Sequence, residues 1–420
     1  MTQETLALHA GYDKGEFGAM SVPIYQNTAY DFGTAKKAAD RFSLADLGPI
    51  YTRLNNPTTS IFENRVAAVE GGESAVATAT GQAAIFCAVA NLAQVGENII
   101  IAQKIYGGAT TLLAHTIKRF GIEAKIFDSD NADDLEDLID DKTKAIFFES
   151  LSNPQIAVPD IQKITRIANK YNIITICDNT VATPALFKPF DHDVDVIVHS
   201  ASKYINGNGS TLGGVVVARH GLNKKIIDNA RYPHFNEPDE SYHGLVYSSV
   251  DLPLFTLRIT FSLIRDMGFT ISPNSSWILL QGLETLHIRM KQHSTNALII
   301  AKYLQSHPKV KSVSYPGLDN NQYNSRVKKY FKDSQASGLL SFEVEDLESA
   351  KSVIDNTKLF AVVVNIGDSK SIITHPASTT HMQVSPDELA KSGITPELIR
   401  LSVGLEDTDD LIADLAQAIG

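Results

Sequence analysis

A lysine at the end of an apolar segment is the residue best placed for chemistry. VDVIVHS predicts a buried strand, and Lys203 follows it in the turn SASKYINGNG. Open α/β sheets bind ligands at the carboxyl ends of their strands. Small hydroxyl residues, Ser200 and Ser202, precede the lysine and no acid flanks it, so its amine can lose hydration and become a nucleophile. The alternative is a solvated turn lysine.

A second apolar segment ends in an acid. NIITIC leads into Asp178, whose carboxylate emerges at the same sheet edge as Lys203. A buried charge there needs a partner. The functional interpretation is a carboxylate that keeps a cofactor's pyridine nitrogen protonated and makes the ring an electron sink. The alternative is a helix cap or a structural salt bridge.

Two further turns are candidates for the same ligand site. In ATATGQAAIF a helix begins near Gly81, and the backbone N–H groups of a helix start bind phosphate. In IYGGAT, Tyr106 follows a strand and precedes a helix, where its ring suits stacking on a planar ligand. Each pattern is weak alone, because many helices begin this way and most aromatic rings only pack.

Alternating strands and helices must position these residues. The predicted strands are SAVAT, NIIIA, EAKIF, TKAIFFES, NIITICD and VDVIVHS, and the predicted helices between them include GQAAIFCAVANLA, GATTLLAHTIKRFG, DDLEDLIDD and IQKITRIANKY. This order predicts an α/β fold with a mostly parallel sheet covered on both faces. We expect an irregular arm over residues 1–55, a ligand-binding large domain over 56–255 and a smaller α+β domain over 256–420.

Composition excludes several classes of protein. The 420 residues carry a formal net charge of -11, which disfavours nucleic acid and anionic membranes as partners. The two cysteines, Cys87 and Cys177, cannot build a disulfide framework, which suggests a reducing, cytoplasmic setting. No secretory signal or membrane-spanning segment is predicted. His375 and His381 lack further ligands for a metal, and GNGSTLGG precedes a strand where a dinucleotide fingerprint would follow one.

Together these motifs resemble a known family along nearly the whole chain. The matching motifs are YTRLNNPT, GQAA, YGG, ESLSNP, DNT, HSASKY, HPAST and LIRLSVGLE. They are similar to those of the Cys/Met-metabolism enzymes, which use pyridoxal phosphate and have the fold type I (aspartate-aminotransferase) architecture. The resemblance implies this cofactor and fold.

The resemblance also implies roles for single residues. Lys203 resembles the Schiff-base lysine, Asp178 the partner of the pyridine nitrogen and Tyr106 the ring-stacking tyrosine, and these three are the expected catalytic residues. The other expected cofactor contacts are Gly81, Gln82, Ser200, Ser202, Asn153, Tyr51 and Arg53, the last two reaching the phosphate of a neighbouring subunit. The expected substrate contacts are Arg400, Asn365, Tyr51 and Asn153.

Within the family, three segments are most similar to the O-acetylhomoserine sulfhydrylases: FSLADLGPIYTR, FNEPDESYHGLVY and NIGD. Relatives that degrade methionine or cystathionine usually carry Ser at the position of Asn365, and methionine-degrading relatives carry Cys at that of Gly108. The turn INGNGST and the ATT after YGG depart from the sulfhydrylase pattern and bear on the acceptor thiol. The resemblance implies conversion of O-acetylhomoserine and sulfide, free or from a sulfur-carrier protein, to homocysteine and acetate in methionine biosynthesis. The expected assembly is a homotetramer built as a dimer of dimers.

Other functions remain open at this point. A cystathionine γ-synthase or a methionine γ-lyase would share every cofactor residue. A nicotinamide dehydrogenase would need a glycine-rich turn directly after the first strand. A non-catalytic binding protein of this fold would lack the visible absorption of a lysine-bound cofactor.

Overall fold

The structure is a computed structural model that describes residues 1–379, 382 and 393–420. Its larger sheet has seven strands: β1 Gly72–Thr78, β2 Asn98–Ala102, β3 Glu123–Phe127, β4 Thr143–Glu149, β5 Ile174–Asp178, β6 Val196–Ser200 and β7 Gly214–Arg219. Their order is β1-β7-β6-β5-β4-β2-β3, with β2 to β6 parallel and β7 antiparallel to both neighbours. The mostly parallel sheet predicted from the sequence is confirmed.

Apolar composition explains the central strands of this sheet. All residues of β2, β4 and β5 are buried, because helices cover both faces. Glu149 pairs with Asp178 in the register of β4 and β5, and β6 ends at Ser200. The carboxyl ends of three neighbouring parallel strands therefore converge on one edge.

The second sheet is smaller and mixed. It contains β8 Ser312–Ser314, β9 Leu339–Glu343, β10 Ala361–Val362, β11 Ile372–Thr374 and β12 Leu398–Ser402, in the order β10-β11-β12-β9-β8. Only β10 and β11 run parallel. Arg400 lies in the middle of the central strand β12 and pairs with Thr374 and Ser341.

Helices surround both sheets. The longer ones are Gln3–His9, Ala35–Phe42, Pro57–Glu70, Gly81–Ala90, Ile161–Lys170, Pro273–Glu284, Leu286–Ser306, Asn324–Tyr330, Leu347–Asn356 and Thr408–Ile419. Shorter α-helical segments are Gly107–Thr110, Thr183–Leu186, Asn223–Ile226, Pro233–Asn236, Leu254–Arg258 and Arg265–Met267. Two π-helical turns, Thr111–His115 and Ile259–Ile264, extend such segments. Among the described residues no helix combines the length and apolar character that a membrane crossing requires.

Two sequence expectations need correction. DDLEDLIDD does not form the predicted helix, and only Glu136–Leu138 makes a 3₁₀ turn. Side chains in and before this stretch accept nearby backbone N–H groups instead. Asp134 accepts the Asp128 N–H, and Asn131 accepts the Asp133 N–H. Such local hydrogen bonds compete with a helix. The arm expected to be irregular contains the helices Gln3–His9 and Ala35–Phe42.

Candidate active site

A cavity of about 220 Å³ opens at the carboxyl ends of β4, β5 and β6. Ten of the twelve site residues predicted from the sequence line it: Gly81, Gln82, Tyr106, Asn153, Asp178, Ser200, Ser202, Lys203, Asn365 and Arg400. They come from seven separate stretches of the chain, so only the fold brings them together.

Lys203 projects into this cavity and is held by one side chain. Its Nζ donates to Asn365 Oδ1 at 2.5 Å. Burial, with a smaller contribution from the positive charge of Arg400, lowers the pKa of Lys203 from 10.5 to about 8. A substantial fraction of the amine is therefore neutral near physiological pH, as a nucleophile or a base requires.

Asp178 lies at the end of β5 and is only 9% exposed. Its Oδ1 accepts the Thr180 N–H at 2.9 Å, and no lysine, arginine or histidine in the described part of the chain forms an ion pair with it. Burial raises the pKa of this carboxyl group. A buried carboxylate of this kind is suited to a cationic ligand group, which would restore its charge.

Arg400 is a second buried charge, 3% exposed. Its Nη1 donates to Asn153 Oδ1 at 3.0 Å and its Nη2 to the Asn365 carbonyl at 2.9 Å, while Nε has no hydrogen-bond partner. Burial lowers the pKa of Arg400 to about 10. No carboxylate of the described residues pairs with it, so an anionic ligand group would supply the missing partner.

A helix start forms one wall of the cavity. Thr80 caps the helix Gly81–Ala90 by accepting the Ala83 N–H. A Cβ atom at Gly81 would lie 2.5 Å from the Ser200 Cβ, so the close approach of strand β6 requires glycine there. The Ser200 N–H donates to Thr180 Oγ1 and the Ser202 hydroxyl contacts the backbone of Gly213. Free N–H groups at a helix start beside two hydroxyls suit a phosphate.

Tyr106 is placed by the turn between β2 and the helix Gly107–Thr110. Its N–H donates to Glu149 Oε1 at 2.7 Å. A Cβ atom at Gly108 would lie 2.5 Å from Tyr106 Cε1 and 2.9 Å from Cζ, so the ring occupies the space of an absent side chain. Gln82 Nε2 donates to the Gly108 carbonyl at 2.9 Å and closes this corner.

Tyr51 and Arg53 are not among the described residues that line the cavity. Arg53 Nη1 donates to the Arg265 carbonyl, and its guanidinium lies 5.5 Å from the centre of the Tyr51 ring. Tyr51 is 40% exposed. Within one chain these two residues therefore stand apart from the other ten.

Sequence reasoning missed several residues of the site. Glu149 ends the apolar strand TKAIFFE as Asp178 ends NIITIC, so the same rule would have found it. Thr80 and Thr180 also line the cavity, and their signal was a hydroxyl residue directly before a helix or after a strand-end acid. Gly108 entered the sequence analysis only as the position at which methionine-degrading relatives carry Cys, and its contact with the Tyr106 ring is visible only in the structure. His375 binds Ser378 and the Pro396 carbonyl, while His381 lies outside the described residues.

The residues present fit pyridoxal phosphate. The buried, part-neutral lysine suits the aldehyde of this cofactor, and the carboxylate without a cation suits its ring nitrogen. The helix start beside two serines suits its phosphate. The unpartnered Nε of Arg400 leaves room for a further anion in the same cavity. Fold and site together are those of an α/β enzyme with a buried lysine suited to bind such a cofactor.

Comparison with known proteins identifies the family. The family described as "Cys/Met metabolism PLP-dependent enzyme" matches residues 4–420. The chain therefore belongs to the Cys/Met-metabolism family of pyridoxal-phosphate-dependent enzymes.

Individual relatives agree over their full lengths. The chain is 40% identical to the O-acetyl-L-homoserine sulfhydrylase of Leptospira meyeri, covering 99% of this chain and 96% of the relative. It is 42% identical to the homocysteine/cysteine synthase of Kluyveromyces lactis, covering 98% and 96%. A crystal structure from Campylobacter jejuni, provisionally named O-acetylhomoserine (thiol)-lyase, superposes with a TM-score of 0.99 at 55% identity over both whole chains. That structure carries a pyridoxyl phosphate group on a lysine.

Proposed function

We propose that this protein converts O-acetyl-L-homoserine and hydrogen sulfide to L-homocysteine and acetate, a step of methionine biosynthesis. The C–O bond at Cγ breaks, a C–S bond forms there, and acetate leaves with a proton released. Family membership and the names of relatives similar over the full length support this reaction.

The observation that carries the proposal is the position of Asn365. Its side-chain oxygen accepts from Lys203 and its main-chain oxygen from Arg400, at 2.5 and 2.9 Å. It therefore links the amine that moves protons to the cation that would bind the substrate carboxylate. The methionine- and cystathionine-degrading relatives usually carry Ser here, and a shorter hydroxyl side chain would not make the same link.

The proton transfers fall to Lys203. The cofactor, when bound, supplies an electron-accepting ring for the charge that develops at Cα. With its amine free, Lys203 Nζ would remove the Cα proton, pass that proton to the bound cofactor, and then, neutral again, remove a Cβ proton. Acetate would leave from Cγ after the second transfer. The lowered pKa of Lys203 favours the neutral amine that both steps need.

The other residues bind and orient. Asp178 would hold the ring nitrogen in its protonated form, and Tyr106 would stack on the ring. The phosphate would be held by Gly81, Gln82, Ser200 and Ser202. Asn153 would contact the cofactor's 3-oxygen. Arg400, which Asn153 orients through a 3.0 Å hydrogen bond, would bind the substrate carboxylate.

The assembly proposed is a homotetramer of two dimers, in which Tyr51 and Arg53 complete the site of the neighbouring subunit. Large apolar side chains exposed on the arm support such a contact: Phe17, Met20, Phe42 and Leu47 are 59% to 90% exposed. Both cysteines are free and buried, which supports a cytoplasmic location. Sulfide itself, or a sulfur-carrier protein, would supply the sulfur.

A product assay tests this function. The purified protein with O-acetylhomoserine and sulfide alone should release homocysteine and acetate in equal amounts, and should do so faster than it degrades methionine or cystathionine. Parallel reactions use O-succinylhomoserine, O-acetylserine, and cysteine as the acceptor.

The alternatives give different outcomes. Faster methanethiol release from methionine, or faster cystathionine formation with cysteine, would replace the proposal by the γ-lyase or the γ-synthase. Faster turnover of O-acetylserine would assign a cysteine synthase, a name that the Kluyveromyces relative also carries. Product formation only after addition of a sulfur-carrier protein would overturn free sulfide as the donor.

A further inference from the structure

Glu149 is a buried acid at the site that none of the roles above uses. It ends strand β4, is 5% exposed and lines the same cavity as Lys203. It forms no salt bridge within the described part of the chain. A buried carboxyl group without a cation is costly, so its presence needs a reason.

Its two oxygens hold two other parts of the site. Oε1 accepts the Tyr106 N–H at 2.7 Å and Oε2 accepts the Asn153 N–H at 3.3 Å. Tyr106 starts the turn after β2, and Asn153 follows β4 and orients Arg400. The Glu149 carboxyl group thus fixes both Tyr106 and Asn153 relative to the end of β4.

The surroundings of Glu149 determine its charge. Asp178 is its register partner on β5, Cys177 lies on the same strand, Tyr106 follows β2, and Lys203 and Arg400 line the cavity. Two buried carboxylates on adjacent strands cannot easily both be ionised, because their charges repel in a medium of low polarity. Asp178 faces the proposed ring nitrogen, whose positive charge would stabilise an anion there, so the negative charge belongs to Asp178.

We propose that Glu149 is a neutral positioning residue, whose protonated carboxyl group aligns Tyr106 and Asn153 and leaves the negative charge of this edge to Asp178. This proposal rests on the proposed function only through the identity of the cofactor, not of the substrate. Burial and the charge of Asp178 both raise the pKa of Glu149 well above its usual range, in agreement with the geometry.

Two substitutions separate hydrogen bonding from charge. E149Q keeps the volume, the neutrality and one acceptor oxygen, whereas E149A removes both acceptors and leaves two buried N–H groups unpaired. The control is E63Q, because Glu63 is partly buried, accepts one backbone N–H, from Ala77, and does not line the cavity. Burial raises the pKa of Glu63 to about 8, so it too should carry a proton at neutral pH.

Three measurements apply to each variant. Apoprotein is titrated with pyridoxal phosphate for its dissociation constant, holoenzyme gives kcat, and the infrared spectrum of the apoprotein reports the C=O stretch of protonated carboxyl groups. E149Q should lose one such band while its dissociation constant and kcat stay within about tenfold of wild type. E149A should lose about 100-fold in kcat and bind the cofactor more weakly, because small displacements of positioned groups have effects of that size. E63Q should lose a different band and keep both constants.

Opposite results would overturn the inference. An E149Q variant as damaged as E149A, with no carboxyl band lost, would mean that Glu149 acts as an anion. Full cofactor affinity and kcat in E149A would mean that it positions nothing. If E149A fails to fold, the band and the constants of E149Q still decide the question. The cofactor titration uses no substrate, so a failure of the proposed sulfhydrylase reaction would leave this test intact.

Discussion

The residues of the predicted site lie in two regions, the cavity at the strand ends and the N-terminal arm, and the two groups differ in exposure and in their contacts. At the cavity, Asp178 and Arg400 are less than 10% exposed and each lacks a charge partner within the described residues. On the arm, Tyr51 is 40% exposed and Arg53 binds a backbone carbonyl. The chain itself assembles the first group, and the second group lies outside the cavity. This difference is what the proposed two-chain site would produce, with one chain supplying most of the site and a second chain completing it.

The first way to break this comparison is to remove the lysine. Lys203→Ala should lower turnover by about 10⁴-fold or more, since one group would carry every proton transfer. It should also abolish the visible absorption band of the lysine-bound cofactor. Lys224→Ala, at an exposed lysine, is the control and should keep both. Substantial turnover in Lys203→Ala would contradict the assignment of the whole site.

Asp178→Asn tests the buried carboxylate. An amide cannot hold a ring nitrogen protonated, so kcat should fall about 10²- to 10³-fold while some cofactor still binds. Asp128 directly follows strand β3 and does not line the cavity, so Asp128→Asn is the control. Steady-state kinetics and cofactor content measure both variants. A loss of only a few-fold in Asp178→Asn would make that carboxylate structural.

Subunit mixing sharpens the comparison directly. Lys203→Ala and Arg53→Ala proteins, each inactive, are mixed and allowed to exchange subunits. About half of the dimers become hybrids with one intact site of two, so activity should recover to about a quarter of wild type. Mixing Lys203→Ala with Asp178→Asn is the control and should restore nothing, because both residues line the cavity of their own chain. No recovery after demonstrated exchange would mean that Arg53 does not serve the neighbour's site.

The pKa of Lys203 predicts a pH dependence. Below pH 8 the amine is mainly charged, so the rate at which apoprotein forms the cofactor's visible band should rise about tenfold per pH unit and level off above pH 8. The same reaction with free lysine corrects for the ionisation of the cofactor. A plateau only near 10.5, the ordinary value for lysine, would mean that burial does not affect this amine.

The smallest expected effect is at Gly108. The Cβ atom added by Gly108→Ala would contact the Tyr106 ring and displace it. Moving a side chain about 30° from its rotamer costs about 1 kcal/mol, so kcat should fall about fivefold. In a Tyr106→Ala background the same substitution should change nothing, because the ring is absent. An equal effect in both backgrounds would assign the cost to the helix rather than to the ring.

Several features of the protein could be determined from its sequence alone. Apolar segments that end in Lys203 and Asp178 predicted both the strands and the edge at which they meet, because parallel strands all end on one side of a sheet. Family motifs then supplied residues such as Arg400 and Asn153, whose local patterns carry no chemical signal.

Only the tertiary structure decided the rest. The acidic stretch DDLEDLIDD is not a helix, and nearby side chains accept the N–H groups of Asp133 and Asp140 near its two ends. Glu149 and Gly108 gained their meaning from Tyr106, which lies beside each of them in space. Burial lowered the pKa of Lys203 and left Arg400 without an acid, and burial depends on what the whole chain packs around a residue. No pattern of neighbouring residues in a sequence contains that information.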